Sequence, residues 1–225
     1  MIDFIFPEIS EWRAAKKAIE DGLIGKILNI NVDWTFLSYD LKYGIKSWKT
    51  DVEQGGGALS LYFSHTFYYL EYFIGRIKSL QCSFYSSEKS ANRGETSINM
   101  ILLFENGCVG NAHIDISSTN QQKHLVEFHG ERGSIILQNI SNNFVDNFEL
   151  TINSQKGIKK IKPNKILNLS HNESEDSRIK IIIPIAKRFI NWCNTGVAAK
   201  PDFEDGLRVQ ELIEMARYSN SKSVF

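Results

Sequence analysis

The chain has 225 residues, of which 42% are hydrophobic and 23% are charged, so it can bury a core without disulfides or metal. Lysine plus arginine and aspartate plus glutamate number 26 each, and this balance argues against nucleic acid or an anionic membrane surface as a partner. No stretch approaches the roughly 18 apolar residues that a membrane helix needs. The sequence therefore predicts a soluble globular protein.

The three cysteines, Cys82, Cys108 and Cys193, are too far apart for a local zinc or redox motif. A sparse, odd set of cysteines is typical of a reducing compartment. The first nine residues lack the basic segment that begins a secretion signal. We therefore expect a cytoplasmic protein.

The first predicted elements are a helix and a strand. Apolar residues recur at helical spacing from Ile9 to Leu23, with Pro7 suited to the first turn and Gly22 at the stop. From Leu28 to Phe36, apolar residues alternate with polar ones, which predicts a strand with one buried face. A polar loop with several aromatic residues follows, up to about residue 54.

The glycine triplet Gly55–Gly57 precedes a second helix, which ends at Gly75. This helix is apolar on nearly all sides, so we expect it to be buried on most faces. From Ile77 to about Leu137 the alternating pattern predicts a run of strands, and Asn106-Gly107 is typical of a tight hairpin turn. Such short connections favour antiparallel neighbours.

The last third of the chain begins with a polar, asparagine-rich stretch over residues 139–176, which contains a weak hairpin from Phe148 to Ile161. Two helices then close the chain. The first covers roughly residues 182–194 with Pro184 early, and the second begins after Asp202, a good N-cap residue.

This order of elements predicts an α+β fold, with an open, mainly antiparallel sheet and helices on one face. No internal repeat or linker is evident, and we expect residues 1–225 to form a single domain. A dinucleotide site would need a strand, a Gly-x-Gly-x-x-Gly turn and a helix in succession. The triplet Gly55–Gly57 has the wrong spacing and follows a polar loop, so we expect the chain to bind no cofactor by itself.

Four groups of motifs occur in a fixed order along the chain. They are Gly22-Leu23-Ile24-Gly25-Lys26-Ile27; Trp48-Lys49-Thr50-Asp51 ahead of Gly55-Gly56-Gly57-Ala58-Leu59, with His65 and Gly75 downstream; Phe104-Glu105-Asn106-Gly107 with His129-Gly130-Glu131-Arg132-Gly133-Ser134; and the closing helix pair with Pro201 and Ser219. With these motifs the chain resembles, from Phe4 to Phe225, the C-terminal domain of the Gfo/Idh/MocA family of NAD(P)-dependent oxidoreductases.

The resemblance implies an open sheet whose exposed face pairs subunits into homodimers or homotetramers. It also implies a sugar or polyol as the small-molecule substrate, and NAD or NADP as the cofactor of the intact enzyme. That cofactor would be held by an N-terminal Rossmann domain, which also carries the catalytic lysine and would precede Met1. We therefore expect the chain alone to show no turnover.

His65 is the candidate catalytic residue that the resemblance implies. Family members carry a histidine here that helps move a proton as hydride leaves the substrate, often with an aspartate four residues earlier on the same helix face. That position is Leu61 in this chain, so the usual partner is missing, and Tyr62 or Tyr69 could supply a hydrogen bond instead. Judged by spacing alone, a lone histidine on a helix is more often a core residue bonded to a backbone carbonyl.

The candidate substrate-binding residues are Trp48, Lys49, Gln54 and Tyr62, because an aromatic face with a few hydrogen-bonding groups is what a polyol pocket needs. For each of them singly, packing or solvation is the alternative. The triplet Gly55–Gly57 would let the backbone approach a ligand, or would simply be a flexible helix start.

His113 and Asp115 share a face of one predicted strand, but two ligands do not make a metal site, and we expect no bound metal. His124 and His129 would share a face only if a bulge intervened. Both pairs are better interpreted as parts of a solvated or interfacial sheet face.

Three functions are compatible with these patterns. The first is the substrate side of a sugar or polyol dehydrogenase, which His65 and the glycine triplet favour. The second is a non-catalytic sugar-sensing or assembly module derived from the same family, which Leu61 favours. The third is an unrelated α+β module that shares only the hairpins.

Overall fold

The centre of the protein is a sheet of eight strands in a computed structural model, which describes residues 1–87, 94–163 and 178–222. The strands are β1 (Ile27–Thr35), β2 (Ile77–Tyr85), β3 (Ser97–Phe104), β4 (Val109–Asp115), β5 (Lys123–Gly130), β6 (Gly133–Asn139), β7 (Glu149–Ser154) and β8 (Gly157–Ile161). The helices are α1 (Ser10–Glu20), α2 (Tyr39–Tyr43), α3 (Ser64–Ile74), α4 (Ile179–Thr195) and α5 (Phe203–Lys222). A wider π-type turn, Leu59–Phe63, leads directly into α3.

The strands lie in the order β2-β3-β4-β1-β5-β6-β7-β8. Every neighbouring pair is antiparallel except β1 and β4, which run parallel at the middle of the sheet. The predicted fold class is therefore confirmed, as is the hairpin at Asn106-Gly107, where the Gly107 N–H donates to the Phe104 carbonyl at 3.0 Å. The parallel pair was not predicted, because alternation reports which face a residue occupies and not which strand lies beside it.

The helices cover one face of this sheet, as expected. Helix α1 contacts β6 and β7, and helix α5 contacts both β2 and α3. The side chains between the two layers form the core, and helix α3 is buried on most of its surface. The largest fully buried side chains are Trp12, Tyr69, Phe36, Phe63, Phe67, Phe104 and Phe128.

The opposite side of the sheet, called here the open face, carries the side chains that alternate with the core residues. The registers place Gln81, Ile101, Asn111, Asn31 and Glu127 in one row across five strands. A second row contains Ser83, Asn99, His113, Asp33 and Leu125. The parts of these rows on β1, β2, β3 and β4 line a shallow trough of about 700 Å³, whose lining includes Asn31, Gln81, Ser83, Asn99, Ile101, Asn111 and His113. The rows are mostly polar, with a few exposed apolar side chains.

Three local features of the structure differ from the predictions. Leu28, predicted on the buried face of β1, is 51% exposed, because the register shifts between Ile27 and Asn29 and Ile27 takes the buried position instead. Helix α4 begins at Ile179, so Pro184 lies in its second turn and not near its start. The predicted loop before the glycine triplet contains helix α2 and two short 3-10 turns, Trp48–Thr50 and Val52–Gln54.

Two predicted features of the C-terminal half are present in the described residues: the β7–β8 hairpin and the Asp202 cap of helix α5. The β7–β8 hairpin is present, while residues 164–177 of the predicted polar stretch lie outside the described residues. Asp202 caps helix α5, since its Oδ1 accepts from the N–H groups of Glu204 at 2.9 Å and Asp205 at 3.2 Å. Within the described ranges, no helix combines the length and apolar character needed to cross a membrane.

Candidate active site

The N-terminal end of the helix that carries His65 is closed by a buried glutamate. The Glu95 carboxylate accepts from the Leu59 N–H at 2.8 Å, and the Glu95 carbonyl accepts from the Ala58 N–H, also at 2.8 Å. Burial raises the pKa of Glu95, and the hydrogen bond from the Leu59 N–H opposes that shift. Glu95 thus satisfies two N–H groups of this helix end, those of Ala58 and Leu59.

The glycine triplet makes this closure possible. A Cβ on Gly57, whose φ is +107°, would lie 2.3 Å from a Glu95 carboxylate oxygen, and a Cβ on Gly56 would lie 2.2 Å from the Trp48 carbonyl oxygen. The interpretation that the triplet admits a ligand is therefore wrong at Gly56 and Gly57, where neighbouring parts of the chain fill the space. Of the three glycines, Gly55 alone has no atom within 4 Å of an added Cβ.

His65 lies one residue into helix α3, half-buried against the N-terminal segment. The rings of Phe4 and Phe6 each meet the imidazole edge-on, with centroids 5.8 Å away. Its Nδ1 is buried and has no hydrogen-bond partner, so the expectation of a core histidine satisfied by a backbone carbonyl is wrong for this atom. Burial lowers the pKa of His65 to about 4, so the ring is neutral near pH 7.

Neither tyrosine proposed as a partner forms a hydrogen bond with His65 in the part of the chain that the structure describes. The Tyr69 hydroxyl accepts from Thr66 Oγ1 at 3.1 Å and lies 3.3 Å from His124 Nε2. Tyr62 instead packs edge-on against Trp34 and Phe36. Burial, with a smaller contribution from the Asp40 charge, raises the pKa of Tyr62, so its hydroxyl stays protonated.

The other three predicted substrate-binding residues lie at the surface, in the segment before the triplet. Trp48 is 52% exposed, and Lys49 and Gln54 are also exposed. The Gln54 side-chain amide donates to Asp51 Oδ2 at 2.9 Å, while the Lys49 backbone N–H bonds to Ser47 Oγ at 3.3 Å. The structure thus places Tyr62 and His65 on one helix, and Trp48, Lys49 and Gln54 together on the loop that contacts Gly56.

A second histidine, His124, was missed by the sequence analysis as a core residue. It lies on β5, 4% exposed, and its ring stacks on Trp34 with centroids 4.4 Å apart. Burial, with a smaller contribution from His65, lowers the pKa of His124 to about 3. His124, Val126 and Phe128 occupy alternate positions of β5, and this spacing indicates a shared buried face. Because histidine is polar, His124 does not stand out as an apolar residue in that pattern. His129 lies on the other side of the strand without a bulge between them.

The polar pairs on the open face are used within the sheet. His113 Nδ1 bonds to Asn99 Oδ1 at 2.9 Å, and Asp115 Oδ1 accepts from the Ser117 N–H and hydroxyl. Among the described residues, no group of three or more His, Cys, Asp and Glu side chains converges as metal ligands would.

The residues around the glycine triplet do not fit a dinucleotide. The one glycine cluster is filled by the Trp48 carbonyl and the Glu95 carboxylate, and a carboxylate on the helix N-terminus would repel a pyrophosphate.

Comparison with known proteins identifies the family. The model of the GFO_IDH_MocA_C family, described as the C-terminal alpha/beta domain of an oxidoreductase family, matches residues 16–224. The chain belongs to this family of Gfo/Idh/MocA oxidoreductase domains. It is also 22% identical to an uncharacterized oxidoreductase, sll0816, from Synechocystis sp., over 98% of this chain and 62% of the relative.

Solved structures of oxidoreductases share the fold. Levoglucosan dehydrogenase in complex with NADH and levoglucosan superposes with a TM-score of 0.81 at 20% identity, over 99% of this chain and 64% of that chain. An oxidoreductase from Agrobacterium radiobacter in complex with NAD+, L-tartaric acid and magnesium gives a TM-score of 0.78 at 16% identity, over 99% and 63% of the two chains.

A third example is the WlbA dehydrogenase from Bordetella pertussis in complex with NADH and UDP-GlcNAcA. It gives a TM-score of 0.73 at 17% identity, over 98% of this chain and 60% of that chain. At these identities the likeness establishes the fold. The chain spans less than two thirds of the length of these relatives.

Proposed function

We propose that this chain is the substrate-side domain of a nicotinamide-dependent sugar or polyol dehydrogenase, and that its open face pairs it with a second copy. The main observation in support of this proposal is the position of His65 in a chain of this family. It is a half-buried imidazole in a wall of aromatic rings, on the helix that follows the glycine triplet. The relatives solved with NADH and levoglucosan, or with NADH and L-sorbose, support a sugar as the substrate class.

The chemistry that His65 can perform follows from its protonation state. In the intact enzyme, a bound nicotinamide would accept the hydride of a CH–OH group, and the hydroxyl proton would have to be taken up by a base. Because burial holds the pKa of His65 at about 4, the neutral ring can accept a hydrogen bond from a substrate hydroxyl but is a weak base. His65 would thus orient the hydroxyl and assist its deprotonation, while the main base would come from outside this chain.

The substrate contacts that we propose have two parts. Tyr62, protonated and packed at one edge against Trp34, would donate or accept a hydrogen bond beside His65. The exposed Trp48 would offer its ring to the apolar face of a sugar, with Lys49 and Gln54 available to its hydroxyls.

Pairing through the open face is supported by its composition. Its side chains are mainly amides and charged groups, but Ile101 is 56% exposed, Val109 41% and Leu103 38%. Exposed apolar groups within a polar surface are typical of an interface that forms and separates.

All three cysteines are free thiols, which supports a location in the cytoplasm.

A non-catalytic sugar-sensing or assembly module is the second candidate. It is favoured by Leu61, which leaves His65 without a carboxylate, and by the filled space at Gly56 and Gly57. Both candidates predict sugar binding, and they differ in whether the bound sugar contacts His65.

The proposal is tested by two titrations of the purified chain. Calorimetry with NADH and NADPH should give no heat of binding, and mixtures with a sugar and either oxidised cofactor should give no turnover. Tight binding of either dinucleotide would contradict the assignment of this chain to the substrate side.

The second titration follows the NMR signals of the chain as levoglucosan, L-sorbose or an inositol is added. Weak binding should shift the signals of His65 and Tyr62, and His65→Ala should weaken the affinity about tenfold, which corresponds to one lost hydrogen bond of about 1.4 kcal/mol. The matched control is His129→Ala, at an exposed histidine on the open face, which should leave the affinity unchanged. Shifts that avoid His65 would favour the sensing module.

A further inference from the structure

Helix α3 is tied to strand β5 by a buried chain of hydrogen bonds. Thr66 Oγ1 donates to the Tyr69 hydroxyl at 3.1 Å, and that hydroxyl lies 3.3 Å from His124 Nε2. Thr66, Tyr69 and His124 are all buried, at 4% exposure or less. These hydrogen bonds therefore link the helix that carries His65 to the middle of the sheet.

The hydrogens of these bonds bear on the tautomer of His124. Two polar atoms lie within reach of the Tyr69 hydroxyl: Thr66 Oγ1, which donates to it, and His124 Nε2. With the Thr66 hydrogen on the Tyr69 oxygen, Nε2 is the group to which the Tyr69 hydrogen can be donated. A neutral imidazole that accepts at Nε2 carries its hydrogen on Nδ1. Nδ1 then needs an acceptor, because a buried N–H without one is costly.

No protein atom in the described chain serves as that acceptor, since His124 Nδ1 is buried and has no hydrogen-bond partner. A small cavity adjoins the same side chain. It offers about 10 Å³ to the centre of a water-sized sphere, and its lining includes His124, Trp34, Gln122, Asn139 and Ser141. This is room for one water molecule, with several polar groups around it.

We propose that this cavity is a binding site for a single water molecule, which accepts the hydrogen of His124 Nδ1 and completes the chain Thr66–Tyr69–His124–water. The water reaches the loop after β6, where Asn139 and Ser141 are already bonded to each other at 2.8 Å. The completed chain holds helix α3, and with it His65, in a fixed position on the sheet. Tyr69 and His124 are thus positioning residues.

NMR of the imidazole nitrogens in the wild-type chain at pH 7 tests this proposal. We expect His124 to be the Nδ1–H tautomer, with its proton exchanging slowly and showing a cross-peak to a long-lived water. The matched control is the exposed His129, whose ring proton should exchange rapidly. An Nε2–H tautomer of His124 would overturn the proposal, as would a crystal structure at atomic resolution with no water beside Nδ1.

The variant Tyr69→Phe separates the chain of bonds from the cavity alone. Without the phenolic hydrogen, Nε2 loses its donor while Nδ1 keeps the water as its acceptor. We therefore expect the Nδ1–H tautomer to persist and the Nε2 nitrogen signal to move toward that of an imidazole nitrogen that accepts no hydrogen bond, while the amide spectrum stays folded. If the Nε2 signal is unchanged in folded Tyr69→Phe, Tyr69 does not donate to it and the proposed chain is wrong. These outcomes do not depend on whether a sugar binds at His65.

Discussion

Ile30 and Asn31 are neighbours on strand β1, yet they face opposite surroundings. Ile30 is fully buried beneath the helices, whereas Asn31 lies on the open face, where its side-chain oxygen accepts from Asn111 at 3.2 Å. The covered face holds aromatic rings and two neutral histidines, and the open face holds rows of amides and charged groups. The covered face therefore accounts for stability, while the open face is available for association.

The strongest test of this comparison is a matched pair of alanine substitutions on β1. Ile30→Ala should lower the free energy of unfolding by about 2–5 kcal/mol, because it leaves a cavity in the core. Asn31→Ala should change it by less than about 0.5 kcal/mol. Urea unfolding followed by circular dichroism measures both, and equal losses would show that the open face also supports the fold.

Acid should destabilise the covered face through its histidines. Their pKa falls from 6.5 in the unfolded chain to about 4 for His65 and about 3 for His124 in the folded protein. Between pH 6.5 and the lower values of the folded protein, the unfolded chain binds more protons than the folded protein does. The contribution of the two histidines to the free energy of unfolding is therefore fully present above about pH 6.5 and falls as the pH drops toward 4. The slope should be at most about 1.4 kcal/mol per pH unit for each histidine.

The measurement is urea unfolding at several pH values between 7 and 4. Carboxylates contribute to acid unfolding in every variant, so the informative quantity is the difference in slope from wild type. His124→Phe should reduce the slope, while Asn31→Ala, which removes no titratable group, should leave it unchanged. Parallel curves for wild type and His124→Phe would mean that His124 is not a buried neutral histidine.

A small effect on stability is also expected at Ile101, on strand β3 of the open face. Ile101→Lys should change the free energy of unfolding by less than about 0.5 kcal/mol but should prevent pairing, because it places a charge in the proposed interface. Sedimentation velocity measures the association, with Leu207→Lys on the exposed side of α5 as the matched control. A wild-type chain that is monomeric at tens of micromolar would contradict the pairing.

The two faces also differ in how well the sequence predicts them. Strict alternation identified β1 and β3 because each residue pair reports one buried and one exposed position. The bulge at Leu28 was missed, since a single extra residue leaves the apolar pattern almost unchanged. The pairing of β1 with β4 depends on contacts about 80 residues apart, as in Asn111 with Asn31, for which no local pattern exists.

The candidate site was predicted less completely than the fold. The helix and the position of His65 followed from the motif order, but the glutamate that closes the helix end did not. Glu95 is 36 residues from Leu59 in sequence, and nothing around it resembles a helix cap. A tertiary cap of this kind is visible only when the chain is folded, whereas Asp202 could be recognised because its partners are two and three residues away.

Each of the two outer strands of the sheet carries a feature that opposes pairing with a further strand. Along β2, the Cys82 N–H donates to Ser219 Oγ at 3.2 Å and the Phe84 N–H donates to Asn220 Oδ1 at 2.9 Å, so side chains of α5 occupy the edge. At the other edge, β8 presents the exposed Lys159 and Lys160, whose charges would repel a second copy of the same strand. Both features oppose growth of the sheet by edge-to-edge pairing of one molecule with the next.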